Sequence, residues 1–239
     1  PIPLELGNLT QLKELYLSHN LLTGSIPSSL GHLVNLINLS LSSNQITGPI
    51  PLELWNSTGI ISLNLSHNFL SGSIPSEQAI NLLEVDLSHN KFTILSPFLK
   101  CPDIQKVDLS YNLLNGSIPS QISCIHNLNL SHNFLKGEIP HISSEANSIL
   151  ASLDLSYNNL TGKLHRELAT LSYINLSYNS FDFSQDLESE FPDYCYFGED
   201  SLISYHMPNF TSCHQTNHRT RKSKFFMLIV LPIICFILM

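Results

Sequence analysis

The sequence predicts an α/β-type solenoid, a right-handed superhelix of short coils whose strands align as a parallel β-sheet on the concave side. Three observations predict it. The frame LxxLxLxxN, first met as Leu12-Lys13-Glu14-Leu15-Tyr16-Leu17-Ser18-His19-Asn20, returns with its asparagine at Asn44, Asn68, Asn90, Asn112, Asn133, Asn158 and Asn179. Successive asparagines lie 24, 24, 22, 22, 21, 25 and 21 residues apart, the length of one coil. Five copies then continue into Gly-x-Ile-Pro, at Gly24-Ser25-Ile26-Pro27, Gly48-Pro49-Ile50-Pro51, Gly72-Ser73-Ile74-Pro75, Gly116-Ser117-Ile118-Pro119 and Gly137-Glu138-Ile139-Pro140.

Each element has a physical reason. Pro1 to Leu9 reads as the back half of a repeat, so the chain is expected to be a fragment of a longer protein. Leucines at alternate positions, such as Leu15 and Leu17, put both side chains on one face of a strand, where only neighbouring coils can bury them. The asparagine follows where the strand bends away, and its amide both donates and accepts, so eight copies are expected to form an internal polar ladder. Glycine then permits a turn, isoleucine points inward, and proline ends ladder pairing. The fourth repeat, Phe92-Thr93-Ile94-Leu95-Ser96-Pro97, lacks the glycine, and the seventh, Gly162-Lys163-Leu164-His165, lacks the proline. Local twist is expected to differ there.

The combined pattern LxxLxLSxNxLxGxIP resembles the plant-specific leucine-rich repeat of receptor-like kinases, receptor-like proteins and polygalacturonase-inhibiting proteins. The resemblance covers roughly residues 1–183, a partial first repeat plus eight copies. It implies a recognition surface held outside the cell.

Beyond residue 183 the frame decays. Residues 184–218 are expected to cap the last hydrophobic coil. Cys195 and Cys213 within them most simply pair with each other in a secreted chain. Cys101 and Cys124 occupy similar places in adjacent coils, and either pair or stay as buried thiols. Residues 219–224 carry Arg219, Arg221, Lys222 and Lys224 as a basic flank. From Phe225 to Met239 every residue is apolar, a run of fifteen, short of the about twenty that cross a bilayer. It is read as a truncated transmembrane helix, although counting basic residues alone would put the flank in the cytoplasm. The stretch Tyr194-Cys195-Tyr196-Phe197-Gly198-Glu199-Asp200-Ser201, with Asn209-Phe210-Thr211-Ser212-Cys213, is similar to the membrane-proximal part of the male-discoverer-interacting receptor-like kinase group. That resemblance implies a plasma-membrane, single-pass protein with extracellular repeats and a cytoplasmic kinase absent here.

The chemistry of the chain is sparse. Up to His218 it carries seven basic against nineteen acidic residues, a balance that repels nucleic-acid phosphates. No GxGxxG, Walker, HRD or DFG motif occurs, so no catalytic site and no cofactor are expected. Nine N-x-[ST] sequons occur; glycans are expected first at Asn8, Asn56, Asn115, Asn159 and Asn209. Those at Asn38, Asn64, Asn129 and Asn175 fall on strands. His19, His67, His89, Tyr111, His132, Tyr157 and Tyr178 immediately precede seven of the ladder asparagines. Such a stripe, with side chains about 5 Å apart, would suit a metal or a pH sensor, but repeat consensus explains it better, and no carboxylate or thiol stands beside it at ligand spacing.

Among outward strand residues, Glu84, Asp86, Lys106, Asp108 and Asp154 make the middle charged while both flanks are neutral. The leading reading is a ligand-recognition region that binds an extracellular peptide or a co-receptor ectodomain there. The alternative is a secreted inhibitor of a cell-wall-degrading enzyme, which would carry no membrane anchor.

Overall fold

The computed structural model describes residues 1–75, 81–95, 104–142 and 148–182. Among them sixteen short strands follow one another. The first eight are β1 (Glu14–Tyr16), β2 (Thr23–Gly24), β3 (Asn38–Ser40), β4 (Gln45–Gly48), β5 (Ser62–Asn64), β6 (Phe69–Ser73), β7 (Glu84–Asp86) and β8 (Lys91–Ile94). The rest are β9 (Lys106–Asp108), β10 (Asn115–Gly116), β11 (Asn127–Asn129), β12 (Phe134–Gly137), β13 (Ser152–Asp154), β14 (Asn159–Lys163), β15 (Tyr173–Asn175) and β16 (Ser180–Asp182). Odd strands form one eight-stranded parallel sheet in chain order, and even strands form a second. Each coil thus contributes one strand to each sheet, and the leucine-rich-repeat solenoid is the fold.

The odd strands stack without register error, from Leu15↔Leu39 through Val85↔Val107 to Leu153↔Ile174. Their central residues and the leucines two positions on, such as Leu63 with Leu65 and Leu128 with Leu130, are buried. Each fully buried leucine contributes about 2 kcal/mol through the apolar surface it removes from water. In the first coil Leu15, Leu17 and Leu22 are only partly buried, because only one side of each meets a neighbouring coil.

The second sheet was not foreseen. Its strands run from two to five residues, and six of the eight pass through a glycine at φ between 82° and 92°: Gly24, Gly48, Gly72, Gly116, Gly137 and Gly162. That left-handed backbone favours glycine, because a side chain there would be strained. The fourth repeat, which lacks that glycine, shows the consequence. Pairing of β6 with β8 jumps from Gly72↔Phe92 to Ser73↔Ile94, an extra residue of the bulge kind, and β8 meets β10 only at Asn115↔Ile94. The seventh repeat keeps Gly162 and pairs β14 with β16 over three residues.

Between the sheets run single helical turns: 3-10 turns at Leu4–Asn8, Ser28–His32, Ser120–Cys124 and Arg166–Thr170, and an α-helical turn at Leu52–Trp55. Pro3, Pro27, Pro51 and Pro119 precede four of them with extended backbone. Proline's fixed φ suits that entry position. His165 takes the same place in the seventh repeat, at φ −94 and ψ 143.

The asparagines line the bend. Asn112 accepts from the Phe92 N–H at 3.1 Å and donates toward the carbonyls of Leu87, Leu109 and Ser110 at 3.0, 3.1 and 3.2 Å. Asn44, Asn68, Asn90, Asn133 and Asn158 repeat this set. One amide therefore satisfies groups of its own coil and of the coil before. Asn20, exposed at the first coil, reaches only the carbonyls of Leu17 and Ser18.

Cys124 is disulfide-bonded, which removes the free-thiol alternative for it. The expected cap, basic flank, apolar run, Cys195–Cys213 pairing and Asn209 sequon lie outside the described residues. Among the described residues no helix is long and apolar enough to cross a membrane.

Candidate functional site

Side chains alternate along each odd strand, so the first and third residues face away from the core. The sheet register then sets which charges are neighbours. Glu84 stands beside Lys106 and Asp86 beside Asp108, while Lys106 faces Asn127 and Asp108 faces Asn129. Asp154 lies one strand further on, opposite Asn129. The five charged residues are thus brought onto one sheet face, with Asp86 and Asp108 in direct register and Asp154 separated from them by Asn129. Glu84 and Lys106 are exposed; the three aspartates are half-buried. Among the described residues none of the five is in an ion pair.

The aspartates also hold the strand ends. The Asp108 Oδ1 accepts from the Ser110 N–H at 2.9 Å and from its hydroxyl at 2.6 Å. Asp86 does the same for Ser88, and Asp154 for Ser156. Asn64 and Asn175 make the same pair of bonds with Ser66 and Ser177. This turn needs an acceptor and no charge. The negative charges at 86, 108 and 154 are therefore surplus to the fold. Like charges in register on neighbouring strands cost stability unless something positive meets them. The remaining oxygens of Asp108 and Asp154 accept from the Asn129 and Asn175 amides at 3.2 and 3.1 Å. The sequence held a signal for this cap in its repeated Asx-Leu-Ser spacing.

Three residues past the end of each odd strand sits the ring stripe. All eight residues preceding the ladder asparagines, from His19 through Ser43 to Tyr178, have φ between 53° and 56°. That left-handed turn swings the rings past the strand ends. His67, His89, Tyr111, His132, Tyr157 and Tyr178 form one continuous stack, with centroids 3.9 to 4.2 Å apart. The stripe is tighter than strand spacing alone implies, and Ser43 breaks it from His19. Burial holds the His89 imidazole below its ordinary pKa, helped by nearby His67 and opposed by Asp108 and Asp86. Burial lowers His132 as well, against the pull of Asp154.

Beside the stack runs an open groove of about 570 Å³, lined on one side by His89, Tyr111, His132 and Tyr157 and on the other by Phe69, Lys91, Leu113 and Phe134. Phe134 is 56% exposed and Phe69 46%, while the Lys91 ammonium lies 4.8 Å from the Phe69 ring centroid. The groove was not anticipated, although Phe69, Leu113 and Phe134 each directly follow a ladder asparagine. None of the five charged residues lines it: it adjoins their face without containing it.

The sequons divide by environment. Asn8, Asn56, Asn115 and Asn159 are exposed, whereas Asn38, Asn64, Asn129 and Asn175 are half-buried on the odd-strand sheet. At Asn129 and Asn175 the amide nitrogen is already bonded to an aspartate.

Comparison with known proteins adds the context. The chain is similar to the crystal structure of a TDR receptor, at 30% identity and a TM-score of 0.72, over 82% of this chain and 36% of that one. It is also similar to the Arabidopsis receptor kinase HAESA in complex with the peptide hormone IDA and the co-receptor SERK1, at 32% identity and a TM-score of 0.68, over 84% and 37%. A plant ice-binding protein matches at 27% identity and a TM-score of 0.61, over 84% of this chain and 77% of that one. The chain thus spans little more than a third of the two receptor structures. Among curated proteins there is no match. The Leucine Rich Repeat family matches residues 11–33, 35–57, 59–77, 81–101, 103–125 and 150–171, more than half of the sequence. With its parallel coils and asparagine ladder, the chain belongs to the leucine-rich-repeat proteins.

Proposed function

We propose that this chain is the ligand-recognising region of a plant leucine-rich-repeat receptor-like kinase or receptor-like protein, of the male-discoverer-interacting receptor-like kinase group. It binds an extracellular peptide or a partner ectodomain. Asp86 and Asp108, with Glu84, Lys106 and Asp154 around them, receive a basic group of the ligand. The observation that carries this reading is the pair of in-register carboxylates whose bonds to the serine two residues on asparagine makes equally well elsewhere in the same sheet. Charge that the fold does not need is charge available for recognition. The receptor structures support the class: one neighbour is a HAESA complex with a peptide hormone and a co-receptor, and another is the receptor RGFR1 in complex with RGF2.

The rest of the reading follows that class. Residues 1–183 are the repeats, 184–218 a cap closed by a Cys195–Cys213 disulfide, 219–224 a flank, and 225–239 the start of a single plasma-membrane span. Asn8, Asn56, Asn115, Asn159 and Asn209 carry glycans, and any kinase activity resides in a domain outside this sequence.

Titration of basic peptides against the natural chain and an Asp86→Asn, Asp108→Asn double variant tests the proposal. A tightly binding peptide is expected to lose roughly tenfold in affinity in the variant, with the loss shrinking at high salt. Equal affinities would end the assignment.

A further inference from the structure

The seventh repeat departs from the others where it exchanges proline for His165, and the structure gives that exchange a neighbour. His141, directly after Pro140 in the preceding coil, lies against His165 with ring centroids 3.7 Å apart and planes tilted by 30°. Glu167, at the start of the turn Arg166–Thr170, brings its Oε1 to 3.9 Å from the His141 Nδ1. One ligand atom from each of the three lies within 4.8 Å of the others. The Glu167 side chain is 38% exposed as a whole, yet its Oε2 is buried without a hydrogen-bond partner among the described residues. A buried carboxylate oxygen with nothing to accept from is costly unless a cation meets it.

We propose that His141, His165 and Glu167 form a binding site for one borderline divalent transition-metal ion, with Zn2+ as the occupant. Two imidazoles and a carboxylate are a donor set that zinc accepts, with water completing the shell. Calcium and magnesium prefer all-oxygen shells and gain little from two imidazoles. A tetrahedral ion at ordinary bond lengths holds its ligand atoms about 3.3 Å apart, so the pairs have at most about 1.5 Å to close. His141, with its side chain 71% exposed, is free to make that movement, and the two rings splay as their nitrogens turn toward the ion. The site is separate from the acidic strand face and from the ring stack. It ties the sixth and seventh coils together.

The repeat itself supplies a clean test. His165 has an extended backbone in a place that other coils give to proline, so His165→Pro removes a ligand while restoring the local consensus. The full 239-residue chain is titrated with Zn2+ by calorimetry, with Mg2+ as the control, and Co2+ absorption reports a tetrahedral shell. One Zn2+ per chain is expected, with affinity reduced roughly tenfold or more in His165→Pro and in Glu167→Gln. A His67→Gln, His132→Gln variant, which disrupts the ring stack alone, is expected to bind as the natural chain does. Should His165→Pro fail to fold, the exposed His141→Gln makes the same comparison. Absence of binding, equal affinity across the site variants, or loss that follows His67 and His132 would overturn the proposal.

Discussion

Two columns of side-chain amides and carboxylates run along the solenoid, the second only from Asn64 onward, and they obey different rules. The buried column, Asn44 to Asn179, is asparagine in every coil, because each member accepts from one N–H and donates toward three carbonyls with no water to substitute. The column at the odd-strand ends mixes asparagine and aspartate: Asn64, Asp86, Asp108, Asn129, Asp154 and Asn175. Its members only need to accept from a serine two residues on. Where a site must both give and receive protons, the amide is fixed. Where it only receives, charge can enter without disturbing the coil.

The sharpest way to break this contrast is to exchange the two residue types in each column. Asn112→Asp removes the donors and aims a carboxylate at three carbonyls, so urea unfolding should show a loss of about 4 kcal/mol. A loss below about 1 kcal/mol would mean that the ladder carries little stability. Next in size, Asp108→Ala deprives Ser110 and Asn129 of their acceptor and should cost about 1 kcal/mol by the same measurement. The reciprocal exchange, Asp86→Asn with Asp108→Asn, should leave stability within about 0.5 kcal/mol of the natural chain, because the caps survive.

The smallest effect is a pH dependence. Burial lowers the folded-state pKa of His89 and of His132, so the unfolded chain takes up protons more readily. The stability they contribute is present above the ordinary histidine value and is withdrawn as pH falls below about 6.5. Both rings are only half-buried, so solvent screening keeps the change under about 0.5 kcal/mol. Asp108 and Asp86 oppose the lowering at His89; the double asparagine variant should therefore lose stability more steeply on acidification, as thermal melts between pH 7 and 5 would show.

Much of the ladder was legible because leucine and asparagine recur at fixed offsets and because burial leaves the amide few alternatives. The odd strands followed from Leu15, Leu17 and their counterparts. The second sheet was not legible: segments such as Thr23–Gly24 are two polar residues, shorter than any alternation that periodicity can detect. Nor was the ring stack, since left-handed backbone at His67 or Tyr111 is uncommon for residues with a Cβ, and only the strand spacing was visible in sequence. The outward placement of Asp86, Asp108 and Asp154 follows from strand alternation, but their capping bonds were hidden in plain view, in the serine two residues downstream. The groove went unseen because Phe69 and Phe134 resemble core residues until the coil shows them turned outward.

The stacked rings also equip the molecule with its own optical gauges. Tyr157 and Tyr178 lie face to face at 3.9 Å, close enough for their transitions to couple and give a near-ultraviolet circular dichroism signal from the last coils. Trp55, the single tryptophan, is enclosed near the other end and fluoresces from there. Following the two signals through one denaturant series would show whether the ends let go together or in turn, without attaching any label.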